Sequence, residues 1–214
     1  MDQKPKFLGY YNYTVILTYI GMLTGFIGIV FAFESKIFSA VICLMVSGFI
    51  DMFDGAIAST RKRTQSEKFF GIQIDSFSDF VCFGALPALI VYAQSRHSII
   101  VAGICALYLL SALVRLAYFN VDEQERQQNN DTPREIYYGL PVTLAALIIP
   151  FFQGVACLFS WNPAVLLAAV LLIMAVLFLA PLTLRKPKLP GKIVLIAFGI
   201  LVICFVLYAC KYKL

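Results

Sequence analysis

Four aspartates stand inside or beside hydrophobic runs: Asp51 and Asp54 in DMFDGAIAS, and Asp75 and Asp79 in GIQIDSFSDF. A carboxylate held at bilayer depth costs on the order of 2.5–3.5 kcal/mol on insertion scales, so four together need a compensating cation or water at the end of a span. Asp51 and Asp54 are three residues apart and Asp75 and Asp79 four apart, so each pair shares one helical face, about a turn apart. If the two helices are antiparallel neighbours joined by the short segment 59–71, all four carboxylates converge at one depth, with Asp51 and Asp79 each about two turns inside. Clustered carboxylate oxygens select hard cations such as Mg²⁺ or Mn²⁺, which keep positions open for water or a phosphate. Two such ions can clamp both sides of a phosphoryl displacement. No His or Cys stands close in sequence to the first pair, which disfavours zinc. Gly55, Ala58 and Gly71 accompany the acids, either for tight helix packing or as a slot for a flat base or a phosphate.

The elements that position these acids must lie in a membrane. The chain has 214 residues, of which 61% are hydrophobic and 14% charged, against roughly 25% charged in soluble domains. The mean hydropathy is +0.85. The apolar runs lack the period-2 alternation of a β-barrel, so the expected fold is all-α: a polytopic bundle of about seven transmembrane helices, within a range of six to eight, with a metal site near the cytoplasmic face. The spans read as 14–33, 38–60, 72–93, 98–118, 139–159, 164–184 and 191–210, with Pro150 and Pro181 expected to kink or end their helices. Residues 1–214 read as a single membrane domain, without a clear repeat, low-complexity tract or signal peptide.

With the N-terminus inside, the inner face receives Lys4, Lys6, Arg61, Lys62, Arg63, Lys68, Arg115, Arg126, Arg134, Arg185, Lys186, Lys188 and Lys192. The outer face receives only Lys36, Arg96, Lys211 and Lys213. That bias puts segments 59–71 and 119–138, and hence the acids, on the cytoplasmic side of the cell membrane. The net charge of +5 then reflects basic residues flanking spans and facing anionic lipid headgroups, with no nucleic-acid partner implied. The six cysteines are scattered through apolar runs without a CxxC, which favours packing over disulfides or metal.

The spacing resembles the signature of the CDP-alcohol phosphatidyltransferase family, D-x2-D-G-x2-A-R, a spacer, then G-x3-D-x3-D. Asp51, Asp54, Gly55, Ala58, Gly71, Asp75 and Asp79 match it. FGIQIDSFSDFVCFGALPA at 70–88, RLAYFNV at 115–121 and YYGLPVT at 137–143 are most similar to the phosphatidylserine synthase branch of that family. Two features depart from the signature: Ser59 stands where the family has arginine, and the spacer from Ala58 to Gly71 is longer. Arg61 and Arg63 are the nearest replacements.

The resemblance implies transfer of a phosphatidyl group from CDP-diacylglycerol to L-serine, giving phosphatidylserine and CMP. It implies two divalent ions, Mg²⁺ or Mn²⁺, on Asp51, Asp54, Asp75 and Asp79, with Asp79 as the base. The CDP moiety would lie against Gly55, Ala58, Ser59, Arg61 and Gly71, the acyl chains among membrane lipids, and the enzyme would be a homodimer. A serine carboxylate wants a cation, and Arg115 is the best single candidate, with Asn120 adding a hydrogen bond. Alternatives are a sister enzyme using glycerol 3-phosphate or inositol, a cation transporter, and a catalytically weakened lipid-binding relative. Against a transporter, the acids lie toward one side and no pair of broken helices repeats in two halves.

Overall fold

A computed structural model describes residues 9–129, 136–185 and 189–211. Lys4, Lys6, Arg134, Lys186, Lys188 and Lys213 of the charge count lie outside the described residues. Among the described residues eight α-helices follow in chain order: α1 Tyr13–Phe33, α2 Ile37–Ala58, α3 Gln65–Asp79, α4 Leu86–Gln94, α5 Ile99–Asn129, α6 Ala145–Phe159, α7 Pro163–Leu179 and α8 Leu189–Lys211. A π-helical turn, Phe80–Ala85, joins α3 to α4 into one continuous rod. Each of the seven expected spans therefore corresponds to an apolar helix or rod. Five are long and apolar enough to cross a membrane, while Pro163–Leu179 and Val194–Ala209 are shorter.

Helix ends follow local chemistry. Thr64 caps α3 in a capping box: its side chain accepts from the Glu67 N–H, and Glu67 Oε2 accepts from the Thr64 N–H at 2.9 Å. That box starts α3 at Gln65, ahead of the expected start at 72. Asn162 caps α7, with Pro163 filling its first turn. α7 ends at Leu179, just before Pro181, whereas Pro150 lies inside α6. α5 has 31 residues, about 46 Å, so it outruns a hydrocarbon core of about 30 Å. The polar segment after 118 thus begins as a continuation of that helix.

Packing follows membrane rules, in which close backbone approach replaces the hydrophobic drive. α1 lies against α2 and the α3–α4 rod through bare glycines. A Cβ on Gly25 would fall 2.5 Å from Cys82 Sγ, and one on Gly28 would fall 2.8 Å from both Cys43 and Leu86. Behind them Leu44, Phe83, Leu86, Ile90, Tyr108, Ile149, Leu167 and Phe178 form the buried core. α5 packs on α7, and α6 on α8. Large apolar side chains such as Leu23 and Ile27 of α1, Leu110 and Val114 of α5, and Ile173 and Val176 of α7 point outward, as lipid-facing surfaces require.

The α3–α4 rod contains an internal repair. Pro87 has no N–H to give to the carbonyl of Phe83, four residues earlier. Tyr108 of α5, fully buried, donates its hydroxyl to that carbonyl at 2.6 Å. An unmade bond there would cost about 1–3 kcal/mol, so this contact stabilises the turn next to Asp79.

A short antiparallel ribbon, β1 Ile136–Tyr138 on β2 Thr183–Arg185, is an addition to the all-helical expectation. It ties the segment before α6 to the segment after α7. Gly139 continues from it with φ +76, and a side chain there would strike the Phe178 carbonyl at 2.7 Å and Arg115 Nε at 3.1 Å.

Candidate active site

α2 and the α3–α4 rod run antiparallel across segment 59–64, and their aspartates meet. Asp51, Asp54 and Asp75 each offer a carboxylate oxygen, and these oxygens all lie within 4.8 Å of one another. Asp79 lines the same cavity, and its electrostatic neighbours include Asp51, Asp75 and Asp54. An octahedral Mg²⁺ with bonds of about 2.0–2.1 Å spans opposite ligand oxygens about 4 Å apart, so the acid cluster fits a hard divalent ion with small adjustments.

Side chains of α1 and α3 steady the cluster. Thr18 Oγ1 donates to Asp54 Oδ2 at 3.2 Å, and Ser78 Oγ donates to the Thr18 carbonyl at 3.3 Å. Behind the acids is a crevice of about 10 Å³, lined by Thr18, Ser47, Ser78, Asp51, Asp54 and Asp79. That is room for about one water. Thr18 had no signal in the sequence beyond being a hydroxyl in an apolar run.

In front of the acids opens a cavity of about 1010 Å³. The four aspartates, Gly55 and Ser59 form one wall, with Arg115 and Phe119 of α5 also on its lining. Its remaining walls are apolar: Leu144, Ala146 and Leu147 beside α6, and Val194, Leu195 and Ile203 of α8. Arg115 is only 7% exposed, and its guanidinium lies 5.9 Å from the Phe119 ring centroid. The space thus has a charged end and an oily end, which suits an amphiphile with an anionic head.

The other expected site residues fall as follows. A Cβ on Gly55 would meet nothing within 4 Å, so its open flank faces the cavity. Ser59 donates its hydroxyl to the Ala56 carbonyl at 2.6 Å. Ala58 is half-buried and, like Gly71, stands off the cavity lining. Arg61 is exposed and pairs with Glu67 at 3.5 Å. Asn120 Oδ1 accepts from Ser76 Oγ at 2.6 Å, and Asn120 Nδ2 donates to Gln73 at 3.4 Å, which ties α5 to α3 beside the acids.

Residues 11–210 match the model of the CDP-alcohol phosphatidyltransferase family. The chain is similar to the CDP-diacylglycerol–serine O-phosphatidyltransferase of Bacillus subtilis, with 28% identity over 72% of this chain and 80% of that protein. It is also similar to the protein of the same name from Helicobacter pylori strain J99, with 27% identity over 70% of this chain and 58% of the relative, so the chain spans little more than half of that protein. An archaetidylserine synthase of Methanothermobacter thermautotrophicus is 26% identical over 74% of this chain and 65% of its own length. The stretch that matches the family contains the four aspartates, the cavity and nearly all of the helices. The chain is a multi-pass membrane protein and belongs to the CDP-alcohol phosphatidyltransferase family.

Proposed function

We propose that this chain transfers the phosphatidyl group of CDP-diacylglycerol to L-serine, releasing phosphatidylserine and CMP. The observation that carries the reading is the convergence of Asp51, Asp54, Asp75 and Asp79 with buried Arg115 on one cavity whose other walls are apolar. An anionic head has a charged end to occupy, and acyl chains have an oily exit toward α8. The names of the relatives supply the serine.

In this reading the four aspartates hold Mg²⁺ or Mn²⁺, two ions in all. Bound there, the metal spreads the negative charge that builds on the leaving nucleotide. Asp79 takes the proton of the serine hydroxyl, a poor nucleophile at neutral pH that needs a positioned base. The serine oxygen forms a bond to the phosphorus that carries diacylglycerol, the bond from that phosphorus to CMP breaks, and CMP departs with the electron pair. Asp51, Asp54 and Asp75 orient the diphosphate, and Thr18 holds the Asp54 carboxylate in place. Arg115 binds the serine carboxylate, and its burial strengthens that ion pair. Gly55 and Ser59, which line the cavity, border the nucleotide, with Asn120 at the acceptor side. The reading places the site at the cytoplasmic face of the cell membrane, in one domain covering 1–214, in a homodimer.

The test is purified protein with CDP-diacylglycerol, Mg²⁺ or Mn²⁺, and L-serine, glycerol 3-phosphate or inositol, read by CMP release. Serine-dependent release supports the reading. Release with another alcohol reassigns the acceptor. No release with any of them points to a weakened relative.

A further inference from the structure

Segment 59–64 carries three consecutive cations, and the fold treats them differently. Arg61 and Lys62 are exposed, and Arg61 is turned toward Glu67. Thr64 is fixed as the cap of α3 by the same Glu67. With Arg61 and Thr64 both tied to one carboxylate, the backbone between them is pinned. Arg63 is half-buried and folds back over the start of α3, where its Nη1 lies 3.1 Å from the position a Cβ would take on Gly71. Among the described residues Arg63 makes no ion pair. Gly71 is four residues before Asp75, so the two share a helix face about 6 Å apart along the axis. A guanidinium laid on a bare stretch of backbone, one turn from a carboxylate cluster, is placed for an anion that those carboxylates hold through a cation.

We infer that Arg63 is a binding residue for the diphosphate of the nucleotide donor, a role that Arg61 and Lys62 do not share. The inference rests on the reaction proposed above. A guanidinium binds phosphate oxygens through a charge-assisted, two-pronged contact that an ammonium cannot copy. Arg63 and Gly71 stand just off the cavity lining, whereas Ser59 is on it beside the aspartates, so an arginine placed at 59 would reach the same anion from the α2 side.

The test is calorimetric binding of CDP, with Mg²⁺, to purified protein in lipid nanodiscs, beside the KM for CDP-diacylglycerol. Arg63→Ala is expected to weaken CDP about tenfold or more and to raise KM while kcat moves less. Arg63→Lys falls between it and the native protein. Lys62→Ala, which removes the same charge one residue away, stays within about twofold. Adding Ser59→Arg to Arg63→Ala recovers a large part of the lost affinity. Native CDP affinity in Arg63→Ala, or in Arg63→Lys should the alanine variant not fold, overturns the assignment. So does an equal loss in Lys62→Ala, which would mean diffuse charge in place of a contact. A native protein that releases no CMP with any acceptor removes the proposed reaction, and the CDP titrations then still decide the role of Arg63.

Discussion

The two ends of the α2 and α3–α4 elements handle polar groups in opposite ways. At the end where segment 59–64 joins them, four carboxylates of like charge crowd against a large cavity. Toward the other end, Gln94 of α4 donates to Gln153 of α6 at 3.1 Å, and Gln153 donates in turn to Cys157 Sγ at 3.9 Å. Donors there meet acceptors, and Gln153 is buried. A bilayer penalises isolated polar groups at both ends, and the second arrangement offsets its cost within the protein. At the acid end like charges repel, and the divalent ion proposed above would relieve that repulsion. That demand marks it as the working end.

The comparison breaks most sharply at the acids. Single Asp→Asn changes at 51, 54, 75 or 79 are expected to lower CMP release by about 10³-fold, and excess chelator should do the same. Full turnover in two of the variants, or in chelator, would remove the metal reading. Next comes Arg115. Arg115→Ala should raise the KM for serine about tenfold to a hundredfold and leave the KM for CDP-diacylglycerol within about threefold, measured by CMP release. An equal rise in both would make Arg115 a general support of the cavity.

A smaller effect is expected at the junction of the two regimes. Tyr108→Phe leaves the Phe83 carbonyl without the hydroxyl that repairs the Pro87 gap. It should cost about 1–3 kcal/mol, seen as a lower unfolding temperature in detergent, with Asp79 chemistry reduced only modestly. The smallest effect belongs to His97, the lone histidine. It sits in the turn after α4, against the Tyr92 ring at 5.4 Å between centroids. Gln94, the last residue of α4, is already about 22 Å along the rod from Asp79 at about 1.5 Å per residue. General-base catalysis needs hydrogen-bond reach, so His97→Ala should keep near-native serine-dependent CMP release. A large loss in a folded His97→Ala protein would mean that the two ends are coupled.

Much of this was legible in the sequence, because the bilayer imposes a length on every span and helical spacing imposes a face on every acid. The seven apolar runs and the convergence of Asp51, Asp54 and Asp75 follow from those two rules. The early start of α3 did not, since QSEKFFGIQ is too polar to read as part of a span, although its Thr64–Glu67 box is a start signal in its own right. The charged stretch after 118 reads equally as a loop or an amphipathic helix, and the structure decides for the helix by carrying α5 on to Asn129. Side-chain directions were out of reach altogether. Nothing in the spacing of Arg61 and Arg63 says that one turns to Glu67 and the other to Gly71, because that choice is made by a cap and an ion pair.

The π-helical turn after Asp79 has a consequence for register. The N–H of Leu86 reaches back five residues to the Val81 carbonyl, so the rod takes in one more residue there than an α-helix would. Each residue of an α-helix advances the facing direction by about 100°. The turn therefore works as an angular offset between two halves of one rod: Asp75 and Asp79 are aimed at the cavity while Leu86, Ile90 and Val91 are aimed into the core. Deleting a single residue between Phe80 and Ala85 would leave nearly every side chain on the rod chemically intact and yet swing one half against the other, so that acids and core could no longer both face their partners.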